Sequence, residues 1–174
     1  MMLKSTLHTS EYDTYYARYI DKLPDETELR KGFEIGKQIV LNFYKSIPTE
    51  KLVYRYQPEK WSIKEVLQHT IDTERIFMYR CFRIARRDTT PLTGFDQNVY
   101  VIPSKAHEKP FDGLLEEFIV NRNNSISILN SLTDEDLAFV GNSNGAAMSA
   151  RAAAYTILGH DVWHMDVITN RYLE

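Results

Sequence analysis

Cysteine is almost absent from this chain. Cys81 is the only one, so no internal disulfide can staple the fold. A lone thiol suits a reducing compartment, and the cytoplasm is the expected location. Its neighbours Ile76, Phe77, Met78 and Phe82 are apolar, which marks Cys81 as a small core residue rather than a reactive nucleophile. Long hydrophobic runs are missing too. Nothing approaches the length of a bilayer crossing, and the opening Met-Met-Leu-Lys-Ser-Thr offers no apolar segment for a secretory signal. Excess charge is small: 21 Lys and Arg against 24 Asp and Glu leave −3. Neither nucleic acid nor an anionic membrane is therefore an expected partner. The basic cluster Arg83, Arg86 and Arg87 reads as the solvated end of a helix, where cations suit the helix dipole. Strand alternation of useful length, internal repeats and low-complexity tracts are all lacking.

What is present is an ordinary globular composition, 43% hydrophobic and 26% charged over 174 residues. That is enough for one domain with a real core. Helical periodicity runs almost throughout. Tyr12, Tyr15, Tyr16, Tyr19, Ile20 and Leu23 stripe a short N-terminal helix that Pro24 ends. Asp25 with Glu28 three residues on reads as the capped start of a second helix, whose stripe carries Leu29, Phe33, Val40 and Phe43 to Pro48. Ser62-Ile-Lys-Glu65 is a clear capping box for a third helix that runs to about Arg87. Asp88–Pro110, with Pro91, Gly94, Pro103 and Pro110, cannot be one regular element and reads as a lid, a binding loop or a crossover. Leu114, Leu115, Phe118, Ile119, Ile126 and Leu129 stripe another helix. Gly141-Asn-Ser-Asn-Gly145 is a loop by composition, and Ser149 caps a last helix to about Leu173. The fold class is all-α: four long helices plus a short N-terminal one, with a long connection that lets two consecutive helices run parallel.

Of five histidines, His8 and His107 have no partner at metal-ligand spacing and read as surface residues. His160 and His164 are one helical turn apart on the face that also carries Ile157, Val167 and Ile168. Two imidazoles at this spacing can bind one cation. His69 shares its face with Val66, Thr73 and Ile76. The competing reading of each ring is a core histidine hydrogen-bonded to a carboxylate or carbonyl. Depth favours the metal: His69 lies roughly 10 Å from the start of its helix, and His164 and His160 lie about 14 and 20 Å from the end of theirs. The three meet only if these two helices are antiparallel. Three imidazoles without a fourth protein ligand describe an open site. Its free position could take a water of lowered pKa or a substrate thiolate or carbonyl. Zinc and nickel both accept imidazole. Asp72 and Asp161 are the nearest carboxylates in sequence to orient the rings. No general acid or base is assigned.

The segments Lys60-Trp-Ser-Ile-Lys-Glu-Val-Leu-Gln-His69, Thr70-Ile-Asp72-Thr-Glu-Arg, Tyr79-Arg80, Ala85-Arg-Arg-Asp88, Pro91-Leu-Thr-Gly-Phe-Asp96 and Gly159-His-Asp-Val-Trp-His164 resemble the DinB-like superfamily, specifically its DinB_2-type members. The resemblance extends from the Tyr12–Tyr19 helix to Tyr172. It implies a single domain over residues 1–174, a four-helix bundle of up-down-down-up topology, and a divalent metal held by His69, His160 and His164. Dimers are common in such proteins, so a homodimer is admissible. Characterised relatives include S-transferases that use low-molecular-weight thiols and maleylpyruvate isomerase-type enzymes; others are described only as metal-dependent hydrolases or damage-inducible proteins. The expected function is thus metal-dependent transfer of a small thiol to a small-molecule electrophile, with Phe95, Asn98 and Tyr100 of the long loop roofing the pocket. Hydrolysis by a metal-activated water, and a non-catalytic stress protein with a structural metal, are the alternatives.

Overall fold

The computed structural model describes residues 1–173. Three short 3-10 turns lead into α1 (Ala17–Ile20), followed by α2 (Leu29–Lys45), α3 (Ile63–Ala85), α4 (Asn98–Ser104), α5 (Phe111–Asn130), α6 (Asp134–Ala138), a hairpin of β1 (Val140–Ser143) and β2 (Ala146–Ser149), and α7 (Ala150–Tyr172). The long helices are α2, α3, α5 and α7, and contacts between named residues give their directions. Glu117 with Gln68 and Arg122 with Glu74 keep the same order along α5 and α3, so these two helices are parallel. The Tyr172 hydroxyl donates to the Trp61 carbonyl at 2.7 Å while His164 approaches His69 further along, so α7 is antiparallel to α3. Arg30 reaches the Leu129 carbonyl and Lys37 reaches Asn123, so α2 and α5 are antiparallel. The bundle is therefore up-down-down-up, as the depth of the histidines requires.

Two of these helices start where the sequence marks them. The Ser62 hydroxyl accepts from the Glu65 amide at 3.4 Å and the Glu65 carboxylate accepts from the Ser62 amide at 2.7 Å. Ser149 accepts from the Ala152 amide at 3.0 Å. The start of α2 differs. Its cap is Glu28, not Asp25: Glu28 accepts from the Lys31 amide at 2.8 Å, while Asp25 is held by Lys4 at 2.7 Å. The cause is long-range. The backbone of Met2 and Lys4 bonds to Leu29 and Thr27, which holds this segment extended and delays the helix.

Regular structure also appears inside the segments read as loops. Asp88–Pro110 contains α4, with Pro103 in its last turn. Thr133 caps α6 by accepting from the Asp136 amide. Asn144 and Gly145, at φ 54 and 82, turn the chain between β1 and β2. Two successive positive φ values suit a two-residue hairpin, and Asn-Gly is the pair that adopts them most readily.

The core falls into two apolar halves. One gathers Ile20, Phe33, Phe77, Leu129, Leu137 and Tyr155, the other Val40, Tyr44, Leu67, Ile71, Phe118 and Ile168. Between them runs a layer of buried polar side chains: Glu74 on α3, Arg122 on α5, and His160 and Asp161 on α7. The α1 segment is pressed against this level. A Cβ on Gly159 would lie far inside contact distance of the Tyr19 carbonyl oxygen, so glycine is what lets the two backbones touch. Among the described residues no helix is long and apolar enough to cross a membrane.

Candidate metal centre

Near the polar layer the three histidines meet. His69 projects from the second turn of α3, and His160 and His164 from successive turns of α7. The His160 Nε2 is 3.1 Å from the His69 Nε2 and 3.0 Å from the His164 Nε2. One ring nitrogen from each residue can be chosen so that all three lie within 4.8 Å of one another. Trp61 packs on the His69 ring at 4.7 Å between centroids, and Tyr19 on His160 at 5.1 Å. These aromatic rings screen part of the imidazoles from water. Burial lowers the His69 pKa to about 4. Burial and then the charge of His69 lower His164 to about 3. Burial, followed by the other two imidazoles, sends His160 well below its ordinary value. In the metal-free protein all three rings are therefore neutral at pH 7, each with a lone pair to give.

The convergence fits a cation better than a hydrogen-bonded cluster. A neutral imidazole Nε2 is either one donor or one acceptor. The His160 Nε2 can thus bond only one of its two neighbours, and the third nitrogen is left over. A single cation takes all three lone pairs at once. On the far side of the rings, Thr73 Oγ1 faces the His69 Nδ1 at 3.4 Å, and the buried His164 Nδ1 has no partner among the described residues. The carboxylates expected to orient the rings are engaged elsewhere. Asp72 accepts from Gln68 at 3.1 Å and Arg75 at 2.9 Å. Asp161 accepts from Arg122 at 2.6 Å, away from the imidazoles. Burial, helped by the Glu74 carboxylate, pushes Asp161 up to about 6 against the pull of Arg122.

A cavity of about 350 Å³ opens onto His69 and His160. The face of α3 that carries His69 continues through Thr73 and Phe77 to Arg80, all lining it. Tyr15, Tyr16 and Tyr19 form an opposite wall, and Ser143 and Asn144 of the hairpin reach its edge. Of the loop residues expected over the pocket, Phe95 lines it and Gln97 joins it. Asn98 does not: its amide donates to Asp96 at 3.0 Å. Tyr100 packs on Phe95 and lines a small neighbouring space beside His69. Arg80 was legible in principle, because eleven residues after His69 bring the helix back to the same face. The hairpin residues carried no such signal. His8 and His107 are exposed, as expected. Cys81 is fully buried, and burial pushes its thiol up to about 12, so it offers no nucleophile.

Fold and site together define a four-helix bundle in which three histidines converge from two antiparallel helices. The chain belongs to the DinB superfamily: the DinB_2 family model matches residues 33–168. No curated protein matches the sequence. Among solved structures the fold is similar to YfiT from Bacillus subtilis, described as a probable metal-dependent hydrolase with an unusual four-helix bundle topology. The identity is 15%, with 95% of this chain and 90% of that one covered at a TM-score of 0.71.

Proposed function

We propose that His69, His160 and His164 hold a divalent cation, zinc or nickel, and that the protein transfers a low-molecular-weight thiol to a small electrophile bound in the cavity. The observation that carries this reading is the convergence of three neutral imidazole nitrogens at the floor of an open cavity, with no carboxylate joining the cluster among the described residues. A bound divalent cation supplies Lewis acidity, lowering the pKa of whatever thiol or water it holds. The three rings, held neutral by burial, supply the lone pairs. Tyr19, Phe77 and Phe95 present aromatic faces that orient an electrophile and exclude solvent. Cys81, the one thiol of the chain, is buried away from the cavity and supplies no nucleophile there. Nor is there a placed general base: the one carboxylate on the cavity wall, Asp13, is exposed and accepts from the Tyr15 amide at 2.8 Å. Thiol transfer does without such a base, because thiolate is formed readily near neutral pH once the thiol pKa is lowered.

Hydrolysis is the second reading, favoured by the likeness to YfiT. Both readings take residues 1–174 as one working unit, because the cavity draws on both ends of the chain. Elemental analysis of the native protein and of His69→Ala tests the shared part. Near-stoichiometric divalent metal is expected in the first and a large loss in the second. Turnover of a model electrophile by the metal-loaded protein, with and without added thiol, separates the two reactions. Thiol-independent turnover would replace transfer with hydrolysis.

A further inference from the structure

At the end of the cavity away from the histidines stands a cation without an anion. Arg80 lies eleven residues beyond His69 on α3, about 16 Å along the helix axis. It is only 2% exposed. Its guanidinium donates from Nη2 to the Thr93 carbonyl at 3.0 Å and rests over the rings of Phe77 at 4.8 Å and Phe95 at 5.8 Å. Among the described residues no carboxylate comes within 4.0 Å of it. The acids nearest in sequence are committed: Glu74 to Arg122, Asp88 to Arg83, and Asp96 to Asn98. Asp13, the other charged residue on the cavity wall, is exposed at the mouth and caps its own turn. Arg122, as deeply buried, shows the usual solution, with two carboxylates around one guanidinium.

A guanidinium keeps its charge wherever it is placed, and burying it unpaired is costly. The aromatic faces and one carbonyl offset only part of that cost. A second group in the same place also lacks a partner. The Ser143 hydroxyl is 2% exposed, has no hydrogen-bond partner among the described residues and lines the same cavity. It lies close to the arginine's anchor: the Leu92 carbonyl accepts from the Asn144 amide at 2.7 Å, which pairs the end of β1 with the segment that carries Thr93. A buried guanidinium with one carbonyl and no carboxylate for a partner, beside an unpartnered hydroxyl at one end of the cavity, calls for an oxyanion.

We infer that Arg80, assisted by Ser143, binds a carboxylate of the substrate whose reacting atom lies at the three histidines. The inference rests on the reading of the cavity as the reaction site and narrows its substrate to an anion with its charge and its reacting centre at opposite ends. A planar carboxylate matches the guanidinium fork in two parallel hydrogen bonds, which a rounder anion does not. Phe77 and Phe95 then flank the stem between the two ends.

Binding to the chelator-treated protein tests this without any metal chemistry. The probes are phenylpropionate and its neutral amide, phenylpropionamide, measured by calorimetry and ligand-observed NMR. Wild type is expected to bind the acid at least about tenfold more tightly than the amide. Arg80→Met is expected to weaken acid binding about ten- to a hundredfold and leave the amide unaffected, with Ser143→Ala intermediate. Because Arg80→Met removes an unpaired charge for a similar volume, its melting temperature is expected to equal or exceed wild type. Equal binding of acid and amide, binding of neither, or unchanged acid binding in Arg80→Met overturns the inference. So does a clear fall in the Arg80→Met melting temperature, which would make the guanidinium structural. The acid–amide comparison on wild type stands even if the variant does not fold. A failed elemental analysis of His69→Ala would remove the metal and leave this result intact, so the two readings fail separately.

Discussion

Replacing Arg122 with methionine should destabilise the protein more than any exposed change. Its guanidinium is fully buried and donates from Nε to Glu74 at 2.8 Å, and from Nη2 to Glu74 at 2.9 Å and to Asp161 at 2.6 Å. Burial opposes this charge, but the two carboxylates outweigh it and raise the Arg122 pKa. In Arg122→Met both carboxylates stay buried and close to one another with no cation between them. Breaking a buried ion pair from one side costs about 3–5 kcal/mol. Methionine recovers a little by packing on Phe33 and Phe118, whose rings lie 5.0 Å from the guanidinium carbon, and by removing the unpartnered Nη1. A net loss of about 3–4 kcal/mol remains, a large share of the roughly 5–15 kcal/mol that holds a domain folded. Glu74→Gln is the informative contrast. One guanidinium faces two carboxylates, so neutralising one removes a surplus charge; the amide oxygen can still accept from Nε, and Nη2, which loses its bond to Glu74, keeps the one to Asp161. A cost of about 1 kcal/mol or less is expected. Urea unfolding followed by circular dichroism gives both numbers. An Arg122→Met protein within about 1 kcal/mol of wild type, or a Glu74→Gln cost equal to that of Arg122→Met, would show that the buried cation does not hold this layer together.

Two further outcomes are expected. Unfolded, each imidazole takes a proton near pH 6.5, but in the folded metal-free protein His69 waits until about 4 and His164 until about 3. The unfolded chain then binds more protons between these values, so stability present above pH 6.5 is lost as pH falls, with His69 alone removing about 2 kcal/mol by pH 5. Urea midpoints of chelator-treated protein at pH 7.5 and 5 should show this, and His69→Gln should flatten the dependence; an unchanged slope would contradict it. Gly159→Ala should force α1 from α7, costing about 1–3 kcal/mol. It should also lower metal content, because Tyr19 packs on His160; full metal occupancy at wild-type stability would show that α1 has no part in shaping the site.

The helices and the histidine cluster were legible because each leaves a short-range mark. The capping box at Ser62, the cap at Ser149 and the one-turn spacing of His160 and His164 all lie within a few residues of sequence. The polar layer was not legible in this way. Arg122 bonds partners 48 and 39 residues distant. In the sequence it appears only as a gap in the α5 stripe between Ile119 and Ile126, where Arg122 and Ser125 face inward. The start of α2 misled for a related reason: Asp25 has capping-box spacing to Glu28, but the N-terminal segment claims both the backbone and the carboxylate. The hairpin is a different case. Asn144-Gly145 is a local turn signal, but the flanking strands are four residues each and without clean alternation.

Tyr15, Tyr16 and Tyr19 stand before residue 33, where the match to the family begins. The frame that presents the imidazoles and the screen that faces the incoming molecule are thus separate stretches of polypeptide. The screen is fastened to the frame by side-chain packing, by the bare backbone at Gly159, and by the ion pairs of Arg151 with Glu11 and Lys22 with Asp166. A lineage could exchange or reshape this leading stretch and so reline the cavity while the three imidazoles beneath stay as they are.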